Sequence, residues 1–266
     1  VTGVQTCALP ISLEKEQKYD EGFAAAVNIA TAPVGQLIPP TTAFIVFSAA
    51  GGGASVAALF MAGWIPGLLW AACCMVVAFF YARKQGYVIK RDKLTAKIVG
   101  KTIWDAIPSL FLVVIIIGGI LSGKFTPTEA SGVAVAYAFI LSVFIYRTIK
   151  LSEIPKLLVD AAVMTTIVML IIGASSVLSF VMSFTGLPAA ISKLVLGISS
   201  NKYVILLILN IFLLIVGTFM DMAPALLIFT PIFLPIVQSF GMSPIHFGVM
   251  MVMNLSVGTI DRKSVV

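Results

Sequence analysis

The chain has 266 residues, of which 60% are hydrophobic and only 11% are charged, and its mean hydropathy is +1.10. Ordinary soluble domains contain about 25% charged residues. The composition therefore excludes a soluble globular protein and predicts an integral membrane protein surrounded by the lipid bilayer. The formal net charge of +6 does not indicate a nucleic-acid partner, because the basic residues are confined to particular connections.

Long apolar runs predict the fold class. A transmembrane helix needs about 20 predominantly apolar residues, and five runs approach or exceed that length: 59–81, 109–122, 130–146, 161–184 and 203–216. These runs are apolar on all sides, whereas the strands of a membrane barrel would alternate with a period of two. The sequence therefore predicts an all-α polytopic membrane protein.

Two groups of basic residues predict the orientation in the membrane. The first group lies between residues 83 and 101, and the second, Arg147, Lys150 and Lys156, lies two spans further on. Short basic connections face the cytoplasm. Both groups are therefore expected on the cytoplasmic side, with the connections near Lys124 and at 186–202 on the outer side or in the interface.

The two ends do not continue the pattern of the rest. Residues 1–12, VTGVQTCALPIS, lack the basic start and long apolar core of a signal peptide, and the last six, DRKSVV, end an apolar helix with charge. Both resemble translated sequencing-adapter peptides, so we expect a fragment with non-native ends. The cysteines predict neither a disulfide framework nor a metal site, and Cys73 and Cys74 are expected as small apolar core residues.

The first membrane crossing is predicted to be broken. Residues 23–53 begin as a helix of small residues, halt between Gly35 and Pro40, and resume as apolar sequence. Proline removes a backbone donor and displaces the preceding residue from helical geometry, so Pro39 and Pro40 leave backbone groups without helical partners. At membrane depth such groups are tolerated only around a cavity enclosed by protein or filled with water.

A second segment, 246–260, has a similar order of residues. Phe247 precedes a helix of small residues and methionines, as Phe23 does, and Gly258 corresponds to Gly35. Paired, interrupted hydrophobic segments in the two halves of a chain indicate the binding site of a secondary transporter.

Residues 216–235, VGTFMDMAPALLIFTPIFLP, place one acid inside an apolar stretch. We expect a helix to end over 217–220, Asp221 to start a re-entrant hairpin, and Pro231 and Pro235 to break its return before a turn at 241–244, with neither arm long enough to cross. An acid at membrane depth is a candidate functional residue. The alternative for Asp221 is a structural role as an N-cap.

Four motifs, taken in order, carry a resemblance to a known family. They are FAAAVNIATAPVGQLIPPT, LFMAGWIPGLLW with FYARKQGY, GGILSGKFTPTEASGVAVAYA, and the stretch that runs from GTFMDMAPALL to MNLSVG. Over about residues 19–260, the chain resembles the large membrane subunit of tripartite ATP-independent periplasmic (TRAP) transporters, the DctM type.

The resemblance implies an elevator-type transport domain with inverted repeats, discontinuous helices and re-entrant hairpins. It also implies sodium as the coupling ion with no other cofactor, a small membrane subunit of the DctQ type, and a periplasmic substrate-binding protein of the DctP type. The implied substrates are organic acids such as C4-dicarboxylates or sialic acid. The implied location is the bacterial or archaeal cytoplasmic (inner) membrane.

The resemblance also predicts how the chain is divided. Residues 1–18 are a non-native end with a short polar lead-in, 19–53 are the end of a first hairpin and the first broken helix, and 54–158 are connecting and scaffold helices. Residues 159–260 form the second repeat with its re-entrant hairpin, and 261–266 are again non-native. The family's first hairpin should precede residue 19, and a Thr-Pro-Pro break should follow residue 260. We therefore expect half of each ion-binding neighbourhood here, and transport only by the intact parent protein.

Two groups of site residues follow from the resemblance. The first group surrounds the break of the first crossing, and the second joins the hairpin entrance to the facing helix. They are Gly35, Pro39, Pro40, Thr41 and Thr42 in the first group, and Gly217, Thr218, Asp221, Asn254 and Gly258 in the second. Sodium is expected at Gly35, Thr41, Gly217, Asp221 and Gly258, because a hard cation takes oxygen ligands.

Structural alternatives stand beside several of these roles. The threonines can satisfy local backbone groups, and Asn254 can form an interhelical hydrogen bond. Thr126 and Glu129, with Pro127 between them, predict a capping box at a helix start and no ion site.

Two other functions remain open at this stage. The first is a stand-alone sodium-coupled organic-anion symporter, which would use the same hairpins without partner subunits. The second is an intramembrane aspartyl protease, which needs two facing aspartates. Because Asp20 lies in a polar stretch and residues 217–221 lack a glycine-x-glycine lead-in, the sequence predicts that the chain is not an enzyme.

Overall fold

The computed structural model describes residues 19–50, 54–86, 96–186 and 201–264, together with the single residues 190, 193 and 197. Within these ranges the chain is helical and contains no strand, which confirms the all-α prediction. The helices are α1 (Glu21–Leu37), α2 (Thr42–Ala50), α3 (Val56–Gln85), α4 (Ala96–Leu121), α5 (Pro127–Ile140), α6 (Ile154–Phe184), α7 (Lys202–Phe219), α8 (Met222–Ser239) and α9 (Pro244–Ser264). A π-helical turn, Leu141–Ile145, extends α5, and a 3-10 turn, Leu151–Glu153, precedes α6.

Several of these helices are long and apolar enough to cross a bilayer. Among the described residues the segments that qualify by length and composition are Val56–Gln85, Pro127–Ile145, Leu151–Met182, Lys202–Phe219 and Met222–Ser239. The pair α1 and α2 qualifies as a further span if it is taken together across its bend. The run expected at 109–122 forms the apolar part of α4, Ala106–Leu121. The prediction of a multi-pass membrane protein is confirmed.

Helix ends follow the cues in the sequence. Thr126 Oγ1 accepts a hydrogen bond from the Glu129 N–H at 3.3 Å, and Glu129 Oε2 accepts one from the Thr126 N–H at 2.8 Å. With Pro127 in the first turn, this is the predicted capping box. At the end of α3, Gly86 has a φ of 68°, a left-handed conformation that glycine adopts without strain.

The described helices fall into two compact units. One contains α1, α2, α3, α7, α8 and α9, and the other contains α4, α5 and most of α6. In the first unit α9 is central, because it packs against each of the other five helices. Phe47 of α2 and Phe247 of α9 form its aromatic core, with ring centroids 6.2 Å apart and both side chains fully buried.

The second unit is built on the turn between α4 and α5. A Cβ atom placed on Gly119 would lie 2.2 Å from Cδ2 of Phe125, so the turn folds back directly onto the glycine. The Tyr137 hydroxyl donates to the Pro108 carbonyl oxygen at 2.9 Å. The bond joins α5 to the backbone of α4 at the proline that lies inside α4. These contacts hold α4 against α5.

The predicted break at Pro231 and Pro235 is wrong, because α8 is one continuous helix through both prolines. The two residues are four apart and therefore lie on one face, which is exposed at Pro235 and half-buried at Pro231. The opposite face is buried at Ile232, Phe233 and Ile236 and keeps its packing. The missing N–H donors of the two prolines do not break the helix, because the packing of its buried side stabilises it. Helix α8 is also long enough to cross the bilayer by itself.

Helix α9 continues through Gly258 to Ser264. The Thr-Pro-Pro break that the resemblance implies after residue 260 is replaced in this chain by Asp261, Arg262 and Lys263, so that break stays a prediction for the intact protein. One further expectation needs correction. The cysteine pair is not in the core: Cys73 is exposed and Cys74 is half-buried. Both line a groove between α1 and α3. The divisions of the chain at 18, 53, 158 and 260 stay predictions.

Candidate functional site: two neighbourhoods around α9

The first neighbourhood is the bend between α1 and α2. Helix α1 ends at Leu37 and α2 begins at Thr42, and their axes differ by 50°. The Ile38 N–H donates to the Val34 carbonyl oxygen at 2.9 Å, which is the last bond of α1. Pro39 and Pro40, joined by a cis peptide bond, fill the gap and have no N–H to offer. The predicted break between two helices is therefore confirmed, with its gap at 38–41.

Gly35 does not lie in the gap between the two helices, where the sequence predicted it. It lies inside α1, three residues before the gap, and it is exposed. No side-chain or backbone atom of another segment lies within 4 Å of a Cβ atom built on it. Gly35 therefore faces away from the packed side of α1, and its role in ion binding stays a prediction.

Close approach occurs instead at two glycines of α3, which sequence reasoning missed. A Cβ atom placed on Gly63 would lie 2.5 Å from the Leu37 carbonyl oxygen and 2.5 Å from Cε2 of Phe44. At Gly67 the nearest atom would be Cγ1 of Ile38, at 2.7 Å. The bend thus rests directly on the backbone of α3. The available signal was the spacing of the two glycines, since small residues four apart allow membrane helices to approach closely.

The hydroxyl groups at the bend are placed differently from each other. Thr41 is 5% exposed, and its Oγ1 accepts a hydrogen bond from the Ala43 N–H at 3.1 Å, which is the local role weighed for it. Thr42, the first residue of α2, is exposed. Pro39 is buried and Pro40 is exposed. Of these four predicted site residues, only Thr41 and Pro39 therefore lie on the enclosed side of the bend.

The second neighbourhood lies where α7 meets α9. A Cβ atom placed on Gly258 would lie 2.7 Å from the Cα of Gly217 and 2.8 Å from the Leu214 carbonyl oxygen. A Cβ atom on Gly217 would lie 3.0 Å from the Leu255 carbonyl oxygen. Two predicted site residues that are 41 positions apart in sequence are thus in backbone contact. Interfaces of this kind use glycine because any larger residue would separate the helices.

Asp221 stands at the connection between α7 and α8. Helix α7 ends at Phe219, and the Met220 N–H donates to the Val216 carbonyl oxygen at 2.9 Å. Asp221 occupies the N-cap position of α8 and is exposed, but its carboxylate makes no capping hydrogen bond. Thr218 Oγ1 donates to the Ile215 carbonyl oxygen at 2.6 Å. The carboxylate of Asp221 is therefore not engaged in the structural role proposed as its alternative.

Asn254 forms the interhelical hydrogen bond weighed for it. Its Nδ2 donates to Oδ1 of Asn210 on α7 and to the Met250 carbonyl oxygen at 3.0 Å. Asn210 Nδ2 in turn donates to the Leu206 carbonyl oxygen at 2.8 Å. Asn210 was missed, although a single amide in the apolar helix 202–219 is a typical signal of helix pairing in membranes.

A small polar cavity of about 30 Å³ lies between α1 and α9. Three of its lining residues, Gln36, Ser256 and Thr259, carry polar side chains. Its wall also contains Ile29 and Pro33, and since proline has no N–H, the Ile29 carbonyl oxygen lacks its usual helical donor. A space of this size holds about one water molecule. In this cavity, polar groups of α1 face the helix that carries Asn254 and Gly258.

The predicted residues are thus brought together only in part. Gly217 and Gly258 touch, and Asn254 lies one turn before Gly258 on the same helix. Thr41 bonds within its own segment, and Asp221 is exposed at the connection between α7 and α8. The common element is α9, which packs against both α1 and α7.

Comparison with known families decides the class of protein. The family model described as "Tripartite ATP-independent periplasmic transporter, DctM component" matches residues 2–261. The chain belongs to the DctM family. The match includes most of residues 1–18, whose predicted non-native origin stays a prediction.

Individual DctM relatives agree along most of the chain. An uncharacterised protein, YgiK of Salmonella typhimurium, is 47% identical over 92% of this chain. The C4-dicarboxylate TRAP transporter large permease protein DctM of Pseudomonas aeruginosa is 38% identical over 91%, and the sialic acid large permease protein SiaM of Vibrio cholerae is 36% identical over 94%. The chain spans 56%, 56% and 58% of the lengths of these three relatives, respectively.

Family membership settles two of the sequence predictions. DctM proteins are permease subunits of transporters and are not enzymes, so the prediction that the chain is no enzyme is confirmed. The aspartyl protease alternative is excluded on the same ground. The chain is a multi-pass membrane protein, and its location is the cytoplasmic membrane, which in bacteria is the inner membrane, as predicted for a bacterial or archaeal source.

Proposed function

We propose that the intact DctM protein to which this chain corresponds is the permease subunit of a sodium-coupled TRAP transporter that imports an organic acid. A periplasmic binding protein of the DctP type delivers the acid, and a small membrane subunit of the DctQ type completes the complex. The family match and the names of the relatives support this proposal, since C4-dicarboxylates and sialic acid both carry carboxylates.

The sodium proposal rests on the carboxylate of Asp221, which is exposed beside the C-terminal end of α7 and makes no capping hydrogen bond. The last carbonyl groups of a helix carry a partial negative charge, and an anionic side chain next to them adds to it. Hard cations take oxygen ligands from carboxylates, carbonyls and hydroxyls. Gly217 and Gly258 bring a second helix backbone to the same end, so Gly217, Thr218 and Gly258 are the proposed neighbours of a sodium ion held by Asp221.

The bend at 38–41 is the proposed counterpart in the first half. The C-terminal end of α1 and the Thr41 oxygen suit a cation, and the N-terminal end of α2 suits the carboxylate of a substrate. Gly35 completes the proposed set of sodium residues, although only Thr41 and Pro39 lie on the enclosed side of the bend.

Coupling follows if sodium orders both neighbourhoods before the substrate binds. An ion can shift a conformational equilibrium only by its difference in affinity for the two states. A carboxylate that is solvated in one state and coordinated in the other supplies such a difference. The transport domain would then change the side to which it opens only when ion and substrate are both bound.

The test uses the intact transporter with its partners in proteoliposomes. Asp221→Asn keeps the size of the side chain and removes its charge, so the sodium concentration for half-maximal uptake should rise at least about tenfold. Asp160→Asn, an exposed acid on α6, is the matched control and should leave it unchanged. Uptake that persisted when potassium replaced external sodium would refute the coupling, and uptake without the binding protein would favour the stand-alone symporter.

A further inference from the structure

Helices α1 and α3 leave a groove between them with a volume of about 560 Å³. All of the described residues that line it belong to α1, its N-cap Asp20, and α3. The groove exists because small side chains face each other along its middle. These are Ala26 and Ala30 on α1 and Cys73, Cys74 and Ala78 on α3.

The two helices are in contact near each end of the groove, which stays open along its side between these contacts. At one end the rings of Phe23 and Tyr81 are stacked, with centroids 4.4 Å apart. At the other end Trp70 Nε1 donates to the Ala30 carbonyl oxygen at 2.9 Å, and Cys74 Sγ lies 3.7 Å from the same oxygen. Trp70 and Cys74 therefore have partners within the protein, and the lining between the two contacts is mostly apolar.

The length of the groove matches half a bilayer. From Tyr81 to Trp70 the helix rises about 16 Å at about 1.5 Å per residue. The lining of α1 from Asp20 to Thr31 covers the same number of residues in the opposite direction. A hydrocarbon leaflet is about 15 Å deep, half of the whole core. The groove thus fits one extended acyl chain from the interface to the middle of the membrane.

Charge at the mouth selects the headgroup. Arg83 and Lys84 lie in the last turn of α3, immediately beyond Tyr81, and are exposed. The sequence that follows them to residue 101 adds five more basic residues and a single acid, Asp92. The described acids of α1 at this end are Asp20, the N-cap, which accepts the Phe23 N–H at 2.9 Å, and Glu21 in the first turn, which is exposed. Because the positive-inside rule predicts the cytoplasmic side for this end, the groove opens to the leaflet that holds anionic lipids.

We propose that this groove binds an anionic glycerophospholipid of the cytoplasmic leaflet, with one acyl chain between α1 and α3 and its phosphate at Arg83 and Lys84. The lipid fills a gap beside the bent crossing that small side chains leave open. Its attraction to two cationic side chains gives a preference for phosphatidylglycerol over phosphatidylcholine.

Fluorescence quenching of Trp70 tests the proposal in vesicles. The 266-residue chain carries Trp64→Phe and Trp104→Phe, so Trp70 at the deep end of the groove is the only tryptophan of these 266 residues. Phosphatidylglycerol brominated on its acyl chains, diluted into unlabelled phosphatidylcholine, should quench Trp70 at a bulk fraction at least about fivefold lower than brominated phosphatidylcholine does. Arg83→Gln with Lys84→Gln should remove this preference.

A second variant tests the groove itself by filling it with a larger side chain. Ala26→Phe should abolish quenching at low lipid fractions, whereas Met75→Phe, at an exposed position of α3 outside the groove, should leave it unchanged. Mass spectrometry of the chain with its original tryptophans should show one retained phosphatidylglycerol after transfer to detergent, and none with Ala26→Phe. Equal quenching by the two lipids with no effect of Ala26→Phe would overturn the proposal. Absence of quenching by either lipid would also overturn it, because a protein segment would then cover Trp70.

Discussion

Gly217 of α7 and Gly258 of α9 are in backbone contact, and a Cβ atom on Gly258 would lie 2.7 Å from the Cα of Gly217. Real Cβ atoms are essentially never found so close to a backbone atom. The spacing of α7 and α9 is therefore set by the absence of side chains at these two positions. Asp221 lies two residues after the end of α7. The distance between α7 and α9 therefore also determines where the backbone of Asp221 lies relative to α9.

Gly258→Ala should destabilise the protein, because the added methyl group meets backbone and cannot be accommodated by a rotamer change. Overpacking of this kind costs about 1–3 kcal/mol, and thermal unfolding in detergent should show the loss as a lower Tm. Gly173→Ala on α6, where a Cβ atom would meet nothing within 4 Å, is the control and should be neutral or stabilising. Equal Tm values for the two variants would contradict the close contact.

Gly63→Ala should loosen the bend between α1 and α2 more than Gly67→Ala does. The methyl group at residue 63 would meet the rigid carbonyl oxygen of Leu37, whereas the nearest atom at residue 67 belongs to the flexible side chain of Ile38. Hydrogen exchange of the amides from Ile38 to Phe44 should therefore be faster in the first variant. The reverse order would show that the bend does not rest on Gly63.

The hydrogen bond between Asn210 and Asn254 should appear as a coupling energy in a double-mutant cycle. Asn210→Leu, Asn254→Leu and the double variant remove the bond singly and jointly. Interhelical hydrogen bonds in membranes are worth about 0.6 kcal/mol on average and at most about 1.7 kcal/mol. Unfolding free energies that add without coupling would mean that this hydrogen bond does not stabilise the packing of α7 against α9.

Thr126→Ala should lower stability by about 0.5–2 kcal/mol, because it removes the oxygen that caps α5. Thr126→Ser retains that oxygen and should stay near the original Tm. Glu129→Gln should also be tolerated, since glutamine can complete the capping box. A Tm for Thr126→Ser as low as that for Thr126→Ala would show that the methyl group, and not the cap, stabilises this end.

Sequence reasoning succeeded where the signal is local. The capping box at Thr126 and the gap after Leu37 depend on neighbouring residues, and both are found where these residues predict them. It failed at Pro231 and Pro235, because the effect of a proline depends on which face of the helix is buried. It missed Gly63, since the importance of a glycine depends on the helix that lies across from it. The contact of Gly217 with Gly258 required the fold, although each residue was singled out beforehand.

The glycine contacts also limit how this gene can change. Every missense mutation in a glycine codon adds at least one carbon atom, so Gly63 and Gly258 have no conservative neighbour in the genetic code. A leucine codon in the core can change by one nucleotide to methionine or valine, and a second substitution can later restore the lost packing. At these two positions the first step already meets backbone atoms. Random mutagenesis of the gene under selection for folded protein should therefore leave fewer missense changes at both codons than at the codon of Gly173.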